Sequence, residues 1–406
     1  MNVVVQKYGG TSVGSAERIA SVADRVAAQR ANGTGVVTVV SAMSGETNRL
    51  IALANDLAGQ PAVREMDVLM ATGEQVSAAL LSIALQQRGI AARSFLGGQI
   101  RIGTDNAFGR ARIRSIEIES LRRSLDAGEV AVVAGFQGVD ADGNITTLGR
   151  GGSDTSAVAV AAALDADVCE ILTDVDGVYT TDPRICPAAH KLDRISYDEM
   201  LELASLGAKV LQIRSVEAAK RYDVPLHVRT SFDDSSGTWV VREEAGMEET
   251  LVSGVALDRD QAKITIRGVP DKPGLASKLL GPIAHGGVVV DMIIQNSSVS
   301  GDTTDMTFTV PQVDFERALP MIERVANDIG AAGVAADADV VKVSVVGIGM
   351  RSHAGVAAKM FDVLAGEGIN IQMISTSEIK ISVVLAAKYG ELAVRVLHRT
   401  LVEQES

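Results

Sequence analysis

From Val3 to Thr230 the chain alternates short apolar runs with longer stretches of helical periodicity, and this alternation narrows the fold more than any other feature. Val3–Val5, Val36–Val40, Val130–Ala134, Glu170–Thr173 and Leu226–Val228 read as strands. Ala16–Arg30, Glu74–Arg88, Ser156–Leu164 and Ser215–Arg221 read as helices between them. Neighbouring parallel strands need a helix-length crossover, so the expectation is an α/β domain with a mainly parallel sheet. Its ligand site should lie beyond the carboxyl ends of the strands. Hydrophobic residues make up 47% of the chain but aromatic ones only 3%. The cores must therefore be Val, Leu, Ile and Ala, which suits strands buried on both faces.

The polar stretch Thr230–Thr250, with its hinge-like "EEAGMEE", marks a boundary, and a first domain is expected over residues 1–245. Beyond it lies an internal repeat. Lys263–Ile294 resembles Lys342–Ile374, with Lys263 matching Lys342, Gly268 matching Gly347, Gly274 matching Gly355, Lys278 matching Lys359 and Met292 matching Met373. Each copy reads strand, glycine-bearing loop, helix, strand, then a further strand and helix. The second copy runs out of chain before its last strand, and the apolar run Leu251–Leu257 could supply it. The expectation is two ferredoxin-like βαββαβ modules, one nested in the other: residues 263–341, and 251–262 with 342–406.

The formal net charge of −13 argues against a general nucleic-acid binder, which would show a basic face. Cys169 and Cys186 form no C-x-x-C pair, so two reduced thiols are expected rather than a disulfide framework or zinc site. No basic, apolar leader precedes the first strand, and no uncharged stretch reaches membrane-spanning length. A cytoplasmic protein with neither membrane nor nucleic-acid partner is expected.

"KYGGTSVG" (Lys7–Gly14) follows the first strand. Gly9 and Gly10 let backbone approach a ligand, Ser12 or Ser15 can cap the next helix, and the N–H groups of that helix start form an anion seat. Lys7 precedes the glycines, unlike the lysine of a Walker A loop. A glycine turn with a solvated lysine accounts for this stretch equally well on its own. "TLGRGGSDTSA" (Thr147–Ala157) is a second glycine-rich turn entering a helix, with Arg150 suited to bidentate carboxylate or phosphate recognition and Ser153 and Asp154 at the helix start. Two such turns in one domain suggest two anions brought together, as phosphoryl transfer needs. "TDVDGVYTTDPR" (Thr173–Arg184) fits a nucleotide-edge loop or a plain surface turn, and its glycine comes too early for a calcium loop. Glu74 is placed at a helix start, where it could simply offset the helix dipole. Ser41, Ser44, Thr47 and Asn48 are small hydrogen-bonding residues after a strand. The five histidines are scattered without metal-ligand spacing, and neither G-x-S-x-G nor a G-x-G-x-x-G after the first strand is present.

Taken together and in this order, "KYGGTSVG", "SAMSGETN", "TGE", "TLGRGGSDTSA", "TDVDGVYTTDPR" and "SLGAKVLQIRSVE" resemble the aspartate kinases of the amino-acid kinase superfamily. The C-terminal repeat resembles a pair of ACT domains, modules that bind regulatory amino acids. The resemblance implies transfer of the ATP γ-phosphate to the β-carboxylate of L-aspartate, giving 4-phospho-L-aspartate for lysine, threonine, methionine and isoleucine biosynthesis. It implies that Mg²⁺ is bound mainly through the ATP phosphates. Lys7 would stabilise the transferring phosphoryl group, with Gly9, Gly10 and Ser12 around the phosphates and Asp154 orienting Lys7. Arg150 would grip a carboxylate of aspartate; Glu74 would receive its ammonium, with Ser41, Thr47 and Ser153 completing the pocket. Thr173, Asp174, Tyr179, Asp182, Arg184, Lys209 and Val210 would hold the nucleotide. In the regulatory half, Asp271, Gly274, Ala276 and Gln295, closed by Asn370 and Ile371, resemble an effector pocket for threonine. Ser352, His353, Ser377 and Glu378 with Asp291 resemble a second pocket, which binds lysine in some members. ACT pairing implies at least a homodimer, and a separate regulatory chain carrying only the ACT modules could partner it.

Overall fold

The structure is a computed structural model and describes residues 2–206, 210–244, 250–297, 303–351, 353 and 355–403. Lys209 and Ser352 lie outside the described residues. The chain forms two compact units, one of residues 2–179, 191–204 and 210–244, the other of 180–190, 205–206 and the described residues from 250 onward.

In the first unit the strands are β1 (Val3–Tyr8), β2 (Gly35–Val40), β3 (Ala92–Phe95), β4 (Gly103–Thr104), β5 (Ile113–Ser115), β6 (Val130–Ala134), β7 (Gln137–Val139), β8 (Ile145–Thr147), β9 (Val168–Thr173), β10 (Arg194–Ser196), β11 (Leu226–Thr230) and β12 (Thr238–Val241). Its helices are α1 (Ala16–Ala31), α2 (Glu46–Leu57), α3 (Val63–Gln86), α4 (Glu119–Asp126), α5 (Gly152–Leu164), α6 (Tyr197–Ser205) and α7 (Ile213–Tyr222). The main sheet runs β10-β12-β11-β9-β1-β2-β6-β3. Its pairs from β11 to β3 are all parallel, and only β11–β12 is antiparallel. Chain order departs from β1 in opposite directions, to β2 on one side and β9 on the other. The carboxyl ends of β1, β2 and β9 therefore open a crevice, the usual ligand position in such sheets. β2 and β6 are buried at every residue, as expected of strands covered on both faces.

The expected strands and helices of this unit are present, with one correction. Glu74 does not begin a helix: α3 starts at Val63 and runs without a break through Gly73 to Gln86. Tertiary packing overrides the weak helix propensity of glycine here. A Cβ on Gly73 would stand 2.8 Å from the Ala42 Cβ, so glycine lets the loop after β2 touch the helix.

The second unit has β13 (Gly254–Pro270), β14 (Asp291–Ser297), β15 (Thr303–Val310), β16 (Gly333–Val346), β17 (Met373–Thr376) and β18 (Lys380–Ala386), with α8 (Leu275–His285), α9 (Gln312–Asp328), α10 (Val356–Gly366) and α11 (Gly390–His398). One six-stranded sheet runs β14-β15-β13-β16-β18-β17. The run Leu251–Leu257 and the strand at Lys263 are not separate elements from Gly254 onward, because β13 is one strand of 17 residues. Its first part pairs with Lys342–Val346 and its second part with Gly333–Asp337, across bulges between Asp258 and Lys263. One core lies around Ile264, Phe308 and Ile322, another around Val343, Met360 and Leu397.

Candidate active site

The first turn is built from the end of β1. The Gly9 N–H donates to the Leu172 carbonyl at 3.1 Å and the Ser41 N–H to the Tyr8 carbonyl at 3.1 Å, so three strand ends are tied together. Ser12 N–H donates back to the Gly9 carbonyl at 2.9 Å, closing the turn. A Cβ on Gly10 would sit 2.8 Å from the Ala42 carbonyl oxygen, so a side chain there would push the two loops apart. Ser15, not Ser12, caps α1, accepting from the Arg18 N–H at 3.3 Å. Ser12 Oγ instead lies 2.8 Å from Ser231 Oγ, at the end of β11.

Lys7 is 8% exposed and its Nζ lies 2.7 Å from Asp154 Oδ1, in the first turn of α5. The pair is a close ionic contact off the hydrogen-bond line, since that oxygen has no aligned donor. The sequence separates Lys7 from Asp154 widely; the sheet brings them together. The turn entering α5 needs left-handed backbone at Gly149 (φ 76°) and Gly151 (φ 68°), with exposed Arg150 between them. Asp67 of α3, fully buried, fixes the approach to this turn. Its carboxylate accepts from Thr147 Oγ1 at 2.7 Å, Thr147 N at 2.8 Å and Gly109 N at 2.9 Å.

Glu74 is 4% exposed and faces the loop after β2, with Oε1 accepting from the Ala42 N–H at 3.0 Å. Oε2 is buried with no hydrogen-bond partner. Burial pushes the Glu74 carboxyl up to about 7, against the opposing pull of the Ala42 N–H. A buried carboxylate oxygen without a donor can accept from a ligand N–H such as an ammonium. Ser41 and Thr47 are half-buried on the connecting loop and the first turn of α2, and Ser153 is buried beside Asp154.

The remaining expected residues divide between the two units. Thr173 Oγ1 donates to Asp174 Oδ1 at 3.0 Å at the end of β9, and Tyr179 OH donates to Asp176 Oδ1 at 3.1 Å. Val210 is described, in a turn before α7. Asp182 and Arg184 pair with each other at 2.7 Å and belong to the second unit. There, Gly274 (φ 87°) precedes α8, Asp271 is in the loop before it, and Ala276 lies in its first turn. Gln295 is on β14, and Asn370 and Ile371 follow α10. Asp291 is engaged by the buried Lys342, Nζ to Oδ2 2.6 Å. Ser377 N–H donates to the Lys380 carbonyl at 2.7 Å, Glu378 lies 3.8 Å from Arg351, and His353 Nδ1 is 2.9 Å from the Gly349 carbonyl.

Sequence reading missed Asp67, Ser231 and Phe136, and the packing role of Gly73. Each acts through a neighbour remote in sequence. Phe136, just past β6, has φ 67°, rare for an aromatic residue, and its N–H donates to Ser156 Oγ at 3.1 Å. The only signal was local: Gly73 inside an apolar helical pattern.

The amino acid kinase family model matches residues 2–230, and an ACT domain model matches 264–325 and 343–401. An aspartokinase of Pseudomonas aeruginosa is 60% identical over 400 residues, covering 98% of this chain and 97% of that protein. The chain belongs to the aspartokinases. It is a kinase, an amino acid kinase domain followed by ACT domains. Two solved aspartokinase structures align along nearly the whole chain. E. coli aspartokinase III in complex with aspartate and ADP, an R-state, is 27% identical with a TM-score of 0.83, covering 98% of this chain and 100% of that one. The same enzyme with lysine and aspartate, a T-state, is 27% identical with a TM-score of 0.78, covering 98% and 99%.

Proposed function

We propose that this aspartokinase transfers the γ-phosphate of ATP to the β-carboxylate of L-aspartate, giving 4-phospho-L-aspartate and ADP. The observation that carries this reading is the Lys7–Asp154 contact of 2.7 Å at the crevice between two glycine-rich turns. The β-carboxylate is already ionised at neutral pH, so the site needs no general base. What it must supply is alignment and charge stabilisation. Lys7, held by Asp154, stabilises the negative charge of the moving phosphoryl group. Gly9, Gly10 and Ser12 keep backbone N–H groups close to the phosphates, while Arg150 holds a substrate carboxylate and Glu74 takes the ammonium. Thr173, Asp174 and Tyr179 line the nucleotide side. MgATP is the donor, and with Asp154 engaged by Lys7 the ion is left mainly to the phosphates.

The product would feed lysine, threonine, methionine and isoleucine synthesis. The ACT half would make the enzyme responsive to threonine, and to lysine as the T-state relative's complex suggests. A homodimer through the ACT half is the proposed assembly.

A coupled ADP-release assay with L-aspartate, L-glutamate and N-acetyl-L-glutamate, with and without threonine and lysine, tests this. Turnover is expected with L-aspartate alone and should fall with effector; no aspartate-dependent ADP release would sink the reading. Lys7→Met should lower kcat about a hundredfold or more. It also leaves Asp154 buried without its cation, so Lys7→Met/Asp154→Asn should fold better than the single variant and stay inactive. A double variant with near-normal kcat would remove Lys7 from catalysis.

A further inference from the structure

We propose that Cys186, His398 and Glu403 form a zinc-class metal site in the second unit, with Thr180 orienting the imidazole. Sγ of Cys186, a ring nitrogen of His398 and a carboxylate oxygen of Glu403 lie within 4.8 Å of one another. None of them takes part in the proposed phosphoryl transfer.

Three observations converge. First, Nδ1 of His398 faces two ligand atoms, Glu403 Oε1 at 2.9 Å and Cys186 Sγ at 3.6 Å. A single N–H can align on only one of them, whereas a metal accepts all three. With Zn–S about 2.3 Å and Zn–N about 2.0 Å, tetrahedral geometry sets S and N about 3.5 Å apart, close to the spacing found. Glu403 would withdraw slightly, and its side chain, 36% exposed, has room.

Second, the other nitrogen is already fixed. His398 Nε2 lies 2.8 Å from Thr180 Oγ1, and that hydroxyl also accepts the His190 N–H at 3.2 Å. With Nε2–H donated to Thr180, the Nδ1 lone pair faces the sulfur and the carboxylate. Metal-binding histidines are oriented by such a bond from the second nitrogen.

Third, the chain leaves regular helix to complete the set. α11 ends at His398 and continues as a π-helical turn over Arg399–Glu403. In a regular α-helix a residue five positions on points well away from the first. The wider turn brings Glu403 back over His398, and π turns are frequent at functional sites. Cys186 and His398 are 5% and 0% exposed. Thiolate, imidazole and carboxylate together favour Zn²⁺ over Mg²⁺ or Ca²⁺. Three protein ligands leave a fourth position for water. Such an ion would clamp the 180–190 segment to the end of α11.

The test uses the full chain, stripped with chelator and titrated with Co²⁺. The expected result is one Co²⁺ per chain, a near-ultraviolet thiolate-to-cobalt band and visible absorption of tetrahedral intensity, all displaced by Zn²⁺. Cys186→Ser should abolish the near-ultraviolet band. Cys169→Ser should keep it, because Cys169 is buried in the other unit. No band in the wild type, or a band surviving in Cys186→Ser, would overturn the proposal. Should Cys186→Ser fail to fold, Glu403→Gln decides: Co²⁺ affinity about tenfold weaker or more supports the site, and unchanged affinity overturns it.

Discussion

At the scale of single residues, Glu74 is where burial and function oppose each other most openly. Burial lifts its carboxyl to about 7, so the group is half neutral near neutral pH. The sign for stability follows directly. The folded state keeps this proton over an interval in which the unfolded chain has released it, so Glu74 costs stability as pH rises from the ordinary carboxylate range to about 7. If the anion receives the substrate ammonium, kcat/KM for aspartate should fall on the acid side of about pH 7. Glu74→Gln keeps an oxygen for the Ala42 N–H but not the charge. It should lower kcat/KM by about 2 kcal/mol, roughly thirtyfold, and erase that acid limb. It should also raise stability above pH 7, read by denaturant unfolding across pH. A pH profile that keeps its acid limb in Glu74→Gln would assign the inflection to another group.

At the scale of elements, α3 and the loop after β2 form one device. Gly73 allows Ala42 to press against the helix, and that contact sets the Ala42 N–H on Glu74. Helix propensity alone predicts that Gly73→Ala stabilises α3 by about 1 kcal/mol. The 2.8 Å approach to the Ala42 Cβ predicts the reverse, a loss of about 1–3 kcal/mol with a higher KM for aspartate. Ala42→Gly should rescue Gly73→Ala, and calorimetry on the single and double variants separates the two expectations. The same device shows what the sequence could reveal. Apolar runs identified β1, β2, β6, β9 and β11, because strands covered on both faces are mostly apolar. The two glycine-rich turns were legible because φ above zero and close backbone approach demand glycine locally. The helical role of Gly73 was not legible, since its reason, Ala42, sits in another element. Asp67 was hidden likewise: a charged residue in an apolar helix means little until Thr147 and Gly109 are seen donating to it. Short strands such as β4, β7 and β8 carry too few residues for a period-two pattern to register.

At the scale of the second unit, the sequence repeat becomes a physical coupling. The two copies have separate cores but no separate sheets, because β13 and β16 each serve both. A third cluster, Met292, Val340, Met373 and Val384, joins the copies, and Met292 and Met373 are equivalent positions of the repeat. Polar contacts repeat the exchange. Lys342 of the second copy reaches Asp291 of the first, and Lys263 of the first reaches Gln372 of the second, again at equivalent positions. Burial alone would raise the Asp291 carboxyl, but the Lys342 ammonium holds it below its ordinary range. That contribution to stability is present above the ordinary carboxylate range and is lost as pH falls below it. With Asp291 half exposed it is also weakened by salt. Shared strands, a shared cluster and reciprocal lysines predict that the copies unfold together. Phe308→Ala, at a fully buried position of the first copy, should cost about 4 kcal/mol. In native-state hydrogen exchange, amides of β18 in the second copy should then exchange about a thousandfold faster, the factor that corresponds to that loss. Independent copies would leave β18 unchanged and accelerate only β15 and its neighbours. Cooperative unfolding would mean that an effector stabilising either copy stabilises both, so a ligand held by one half is felt across the whole six-stranded sheet.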